Sequence, residues 1–130
     1  MKPQILIADD SDAMRTLYSR ILSDGRYCLT FAENYREASA LLTAGTYDFL
    51  ITDLMFPDGF GTELIKLFRE KSSGDKCMLV SGTLTPESAA EKAKELAILE
   101  CLPKPFKLDY LLGLVSAALS PDTGNAAGGE

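Results

Sequence analysis

The most constraining feature of this chain is an alternation. Strand-length apolar runs recur between stretches whose apolar residues fall three and four apart, and this order holds from residue 4 to residue 119. Gln4 to Ala8 reads as a buried strand, after which Met14, Leu17, Tyr18, Ile21 and Leu22 share one helical face up to Gly25. Tyr27 to Ala32 is a second strand. Asn34 is placed to cap a second helix whose buried face is Tyr35, Ala38, Leu41 and Leu42, with Gly45 closing it. Asp48 to Thr52 has the character of a strand covered on both faces, and Leu64, Ile65, Leu67 and Phe68 line a third helix that fades at Ser72-Ser73-Gly74. Lys76 to Val80 is a fourth strand, and Thr85-Pro86 opens a fourth helix with a cap followed by proline. Leu99 to Leu102 is a weak fifth strand bounded by Pro103 and Pro105, and Leu108, Leu111, Leu112, Val115 and Leu119 mark the last helix. Five strands alternating with five helices predict an α/β fold: a parallel sheet, right-handed crossovers and helices on both sides.

One domain, residues 1–119, accounts for the pattern, and 130 residues leave no room for a second. Residues 120–130, rich in Gly, Ala and small polar side chains, are expected to be a flexible tail or linker remnant. The apolar runs are too short to span a bilayer and the Met-Lys-Pro-Gln start lacks a signal-peptide core, so a cytoplasmic location without membrane contact is expected. A net charge of −6 without a Lys/Arg run argues against direct nucleic-acid binding. Cys28, Cys77 and Cys101 lack metal-ligand spacing, are each flanked by apolar residues, and are read as buried reduced thiols. The chain contains no histidine, which excludes Ser/His and Cys/His triads, His-ligated zinc and a phosphohistidine of its own.

Polar residues stand just beyond the apolar runs: Asp9 and Asp10, Asp53, Ser81 and Lys104. If those runs are parallel strands, their carboxyl ends share one edge, where open α/β folds place their ligands. Carboxylates there suit a hard divalent cation, and a hydroxyl and an ammonium suit phosphoryl oxygens. Each position also has a plainer reading. Asp9-Asp10 could end a strand and cap a helix, Ser81-Gly82 could be an ordinary turn, and Lys104 a solvated loop lysine. Asp53 is harder to treat as a cap, because the helical face after it begins only near Leu64. Gly82 also leaves space for an oxyanion to approach, and Pro103 and Pro105 hold Lys104 on a backbone with little freedom.

With Asp9-Asp10, Asp53 followed by Pro57 and Gly61, Ser81-Gly82 and Lys104-Pro105-Phe106, the chain resembles a response-regulator receiver domain of two-component signalling, near the chemotaxis type in size. The resemblance runs from Ile5 to about Leu119. It implies the flavodoxin-like, doubly wound fold with strand order 2-1-3-4-5. It further implies that Asp53 is the phosphoacceptor, that Mg2+ is held by Asp10, Asp53 and the Met55 carbonyl with Asp9 helping through water, and that the Lys104-Pro105 bond is cis. Ser81, Gly82 and Lys104 would bind the phosphoryl group and act in switching. The implied partners are a histidine kinase or phosphotransfer protein as donor, and an effector protein or output domain reached through the face of the fourth helix, fifth strand and fifth helix.

Two positions depart from the family pattern. Cys101 stands where a switching aromatic is usual, which directs attention to the backbone and to Leu84 and Leu102, and Ala97-Ile98 stands where Gly-Ala is common. Two other readings compete with the phosphorylatable switch. A degenerate receiver would bind partners without using Asp53. A magnesium-dependent phosphatase with an aspartyl nucleophile would want a second acid two residues on, where this chain has Met55.

Overall fold

The computed structural model describes residues 2–23 and 25–119; the expected tail, 120–130, lies outside the described residues. Its elements in chain order are β1 (Gln4–Ala8), α1 (Asp12–Ile21), β2 (Cys28–Ala32), α2 (Tyr35–Ala44), β3 (Phe49–Asp53), β4 (Met55–Phe56) and β5 (Gly59–Phe60). There follow α3 (Gly61–Arg69), a 3-10 turn at Gly74–Lys76, β6 (Cys77–Ser81), α4 (Pro86–Leu96), β7 (Glu100–Pro103) and α5 (Leu108–Leu119). The five long strands form one parallel sheet in the order β2-β1-β3-β6-β7, while β4 and β5 make a separate antiparallel hairpin. Set the hairpin aside and this is the expected 2-1-3-4-5 order.

Period-two alternation divides the core between the two faces of the sheet. Leu6, Leu50, Cys77 and Leu79 point to the face covered by α2, α3 and α4, where Ala38, Leu42, Leu64, Ile65, Phe68 and Ala89 meet them. Ile5, Ile7, Phe49, Ile51, Met78 and Val80 point to the other face, covered by α1 and α5 through Tyr18, Leu22, Leu111 and Val115. Each of these large side chains gains about 1.5–3 kcal/mol from burial, so the three central strands carry the strongest commitment to this register.

The helix starts follow local chemistry. Asn34 caps α2 by accepting from the Glu37 amide at 2.7 Å, and Thr85 caps α4 in a reciprocal box with Ser88. Lys71, just past α3, donates to the carbonyls of Leu42, Thr43 and Gly45 at 3.0, 3.2 and 2.8 Å and so satisfies the last turn of α2. Arg69 does the same for α4, donating to the carbonyls of Leu96 and Ala97. Ala97 itself ends α4 in the left-handed region, with φ 55°. Among the described residues no helix is long and apolar enough to cross a membrane.

Two expectations are corrected and one element is added. Cys28 is exposed, not buried, because β2 is an edge strand; Cys77 and Cys101 are buried as expected. Helix α3 begins at Gly61 rather than near Leu64. The hairpin β4–β5 was not expected at all: two-residue strands are too short to show a period in the sequence.

Candidate functional site

Parallel pairing sets the strand ends level. Ala8 is opposite Thr52, Asp53 opposite Val80, and Ser81 opposite Pro103, so the residues following β1, β6 and β7 reach the same edge as Asp53. Asp9, Asp10 and Asp53 each offer a carboxylate oxygen there, all within 4.8 Å of one another. Asp9 is buried, Asp53 partly buried and Asp10 exposed.

Two of the three carboxylates are each held by one backbone amide and by Lys104. One oxygen of Asp9 accepts from the Ser11 amide at 2.9 Å and the other from Lys104 Nζ at 3.0 Å. One oxygen of Asp53 accepts from the Leu54 amide at 2.7 Å and the other from Lys104 Nζ at 3.1 Å. The ammonium therefore bridges two acids from different strands. The helix-cap role goes to Ser11, whose hydroxyl accepts from the Met14 amide at 3.2 Å, which removes capping as a reason for Asp10.

The electrostatics are strained. Burial pushes the Asp53 carboxyl above its usual range and the Asp9 charge adds to this, although the charge and hydrogen bond of Lys104 pull it down. Burial pulls the Lys104 ammonium down, but its bonds to Asp9 and Asp53 and their charges outweigh that and raise it. An acid held above its normal range beside a second acid is a site that gains from another cation. Three convergent carboxylates give the hard oxygen set that Mg2+ prefers, so the residues present fit the ion.

Lys104 is held by the chain on both sides. Its amide donates to the Ser81 carbonyl at 3.0 Å, continuing the β6–β7 ladder by one residue, and the Lys104–Pro105 bond is cis. Ser81 is buried, with its hydroxyl 3.0 Å from that of Thr83 and accepting from the Thr83 amide at 3.2 Å. A Cβ at Gly82 would meet nothing within 4 Å, so the turn beside Ser81 is open. Met55 begins the hairpin two residues beyond Asp53. Cys101 is buried on β7 in the wall of a groove of about 710 Å³ between α4 and β7, together with Ala89, Ala93, Ile98 and Tyr110.

Sequence reasoning missed Asp58. Its two carboxylate oxygens accept from the Tyr35 and Arg36 amides at 3.0 Å each, so a residue at the hairpin tip caps the first turn of α2. The available signal was an acid between Pro57 and Gly59, which marks a turn but not the helix it serves.

Comparison with known proteins gives a consistent result. The family profile described as the response regulator receiver domain matches residues 5–116. The DNA-binding transcriptional regulator NtrC of Rhizobium meliloti is 33% identical over 116 residues, covering 89% of this chain and 24% of that protein. The response regulator MprA of Mycolicibacterium vanbaalenii is 33% identical over 132 residues, covering 100% of this chain and 56% of that protein. The chain thus spans between a quarter and just over half the length of these relatives. Among solved structures, the non-phosphorylated HemR receiver domain from Leptospira biflexa superposes with a TM-score of 0.77 at 26% identity, covering 92% of this chain and 95% of that one. A response regulator receiver protein from Pseudomonas putida gives 0.74 at 27% identity, covering 89% and 97%.

Proposed function

The chain belongs to the response regulator receiver domain family, and on that premise we propose that it is a signalling switch whose Asp53 accepts a phosphoryl group from a histidine kinase or phosphotransfer protein in a magnesium-dependent reaction. The observation that carries this reading is the Lys104 ammonium bridging Asp9 and Asp53 at 3.0 and 3.1 Å, beside a third carboxylate, Asp10. Asp9, Asp10, Asp53 and the Met55 carbonyl would hold Mg2+, which when bound neutralises charge on the transferring group.

A carboxylate oxygen of Asp53 attacks phosphorus, the bond to the donor imidazole nitrogen breaks with its electron pair leaving on nitrogen, and an acyl phosphate results. Lys104 meets the charge that builds on the phosphoryl oxygens. Since the chain has no histidine, the donor is another protein or a small acyl phosphate. Ser81 gives up its contact with Thr83 to donate to a phosphoryl oxygen, which pulls the loop between β6 and α4 inward. With Cys101 in place of an aromatic, that movement reaches the face of α4, β7 and α5 through backbone and through Leu84 and Leu102, both buried, on opposite faces of the sheet. An effector protein or output domain reads this face.

The test is incubation with Mg2+ and a small acyl phosphate, followed by intact-mass measurement. The wild type gains the mass of one phosphoryl group and Asp53→Asn does not. An adduct that persists in Asp53→Asn refutes Asp53 as acceptor. No adduct on either protein from any donor favours the phosphorylation-independent binding module, the reading that the small Cys101 side chain supports.

A further inference from the structure

We propose that Asp58 is a positioning residue for the metal-binding loop, tying the hairpin that carries Met55 to the first turn of α2. This inference rests on the reading that Asp53 and the Met55 carbonyl hold Mg2+.

The first turn of a helix leaves amides without partners inside the helix. In α2 the Glu37 amide is met by Asn34, but those of Tyr35 and Arg36 are met by the two oxygens of Asp58, 23 and 22 residues further along the chain. A carboxylate suits this place, because it accepts twice and its charge faces the positive end of the helix. The contact is reinforced at the next residue. A Cβ on Gly59 would lie 2.5 Å from Cγ of the Tyr35 ring, so the hairpin backbone is pressed flat against α2.

The hairpin cannot hold itself. It has two residues per strand, pairing Met55 with Phe60 and Phe56 with Gly59, far below what is stable alone. Its base is fixed where the Gly61 amide donates to the Leu54 carbonyl at 2.8 Å and the Leu54 amide to Asp53 at 2.7 Å. Its middle is fixed by the buried Phe56, and its tip by Asp58. Met55 lies between base and tip with its side chain exposed, so the direction of its carbonyl depends on both anchors. Groups that orient metal ligands without touching the metal commonly matter to affinity as much as to structure.

The experiment compares wild type, Asp58→Ala and Asp58→Asn, each as the whole chain, by calorimetric titration with Mg2+, thermal unfolding in chelator and intact mass after a small acyl phosphate. Asp58 is exposed, so both variants are expected to fold. Asp58→Ala binds Mg2+ about ten-fold more weakly than wild type. Asp58→Asn, which keeps one acceptor for the α2 amides, recovers part of that loss. If Asp58→Ala melts lower in chelator yet binds Mg2+ within about two-fold of wild type, Asp58 is merely a helix cap and the inference is overturned. If wild type itself neither binds Mg2+ nor takes up phosphoryl, the functional reading fails and the inference falls with it.

Discussion

Replacing Gly61 with alanine directly tests the geometry of the strand that carries Asp53. Gly61 is buried at the start of α3, and a Cβ there would lie 1.9 Å from the Asp53 carbonyl oxygen, 3.0 Å from the carbonyl carbon and 3.1 Å from Thr52 Oγ1. The nearest of these atoms are backbone, so no rotamer change relieves the overlap. Either the Asp53 peptide or the first turn of α3 must move. Overpacking of this kind costs about 1–3 kcal/mol, and the absence of any soft neighbour puts Gly61→Ala at the upper end. Alanine restricts the unfolded chain and returns about 0.4–1 kcal/mol. The net loss is about 2 kcal/mol, which at a slope of about 2 kcal/mol per molar lowers the urea midpoint by about 1 M. Circular dichroism during urea titration reads this, with Gly113→Ala as the control. That Cβ would project into open space within α5, and alanine there gains about 0.5–1 kcal/mol. The same displacement moves Asp53 relative to Asp9 and Lys104, so Gly61→Ala also takes up phosphoryl from a small acyl phosphate more slowly than Gly113→Ala. A Gly61→Ala midpoint equal to wild type would refute the close approach and everything argued from it.

Asp53 is raised in the fold, mainly by burial, so its ionisation works against folding. No such loss exists below the unfolded value of about 3.9; it builds as pH rises from there, is complete once pH has passed the folded value, and persists at neutral pH. Metal-free Asp53→Asn is therefore more stable than wild type at pH 7, with the difference shrinking in acid; thermal unfolding in chelator across pH checks this, and a less stable variant at pH 7 contradicts it. Cys28 is exposed, whereas burial pushes Cys77 up to about 12 and Cys101 up to about 11, so a thiol reagent labels one site quickly in the native protein and three after denaturation. Mass spectrometry of the labelled peptides gives the answer, and fast labelling at Cys101 would show that β7 opens. Ala97 lies in the left-handed region at a cost of about 1–2 kcal/mol, which glycine would remove while losing about 0.4–1 kcal/mol through a more flexible unfolded chain. Ala97→Gly thus gains about 0.8 kcal/mol net; a lower urea midpoint would contradict this.

What the sequence displayed depended on how local the cause was. Gln4–Ala8 is read to the residue because a central strand buried on both faces shows an unbroken apolar run. Asn34 and Thr85 are legible as caps because the amides they serve lie within three residues. The gathering of Asp9, Asp10, Asp53 and Lys104 follows from strand ends once the sheet is parallel. Cys28 was misread because flanking apolar residues do not say which strand lies at an edge. The Asp58 contact was invisible, since it depends on two segments more than twenty residues apart meeting above the sheet. Helix α3 starts early for a related reason: Gly61 is placed by the hairpin base, not by its own helical preference.

Lys71 gives α2 an unusual mooring. Its three bonds grip the outgoing end of that helix from the segment just beyond α3, while the incoming end is met by the stretch just before α3. A short helix ordinarily frays from its termini with little cost to the rest of the fold. Here neither end can loosen without breaking bonds that originate on its neighbour, so α2 and α3 open together as one cooperative unit. Amide exchange along both helices would then share a single opening free energy.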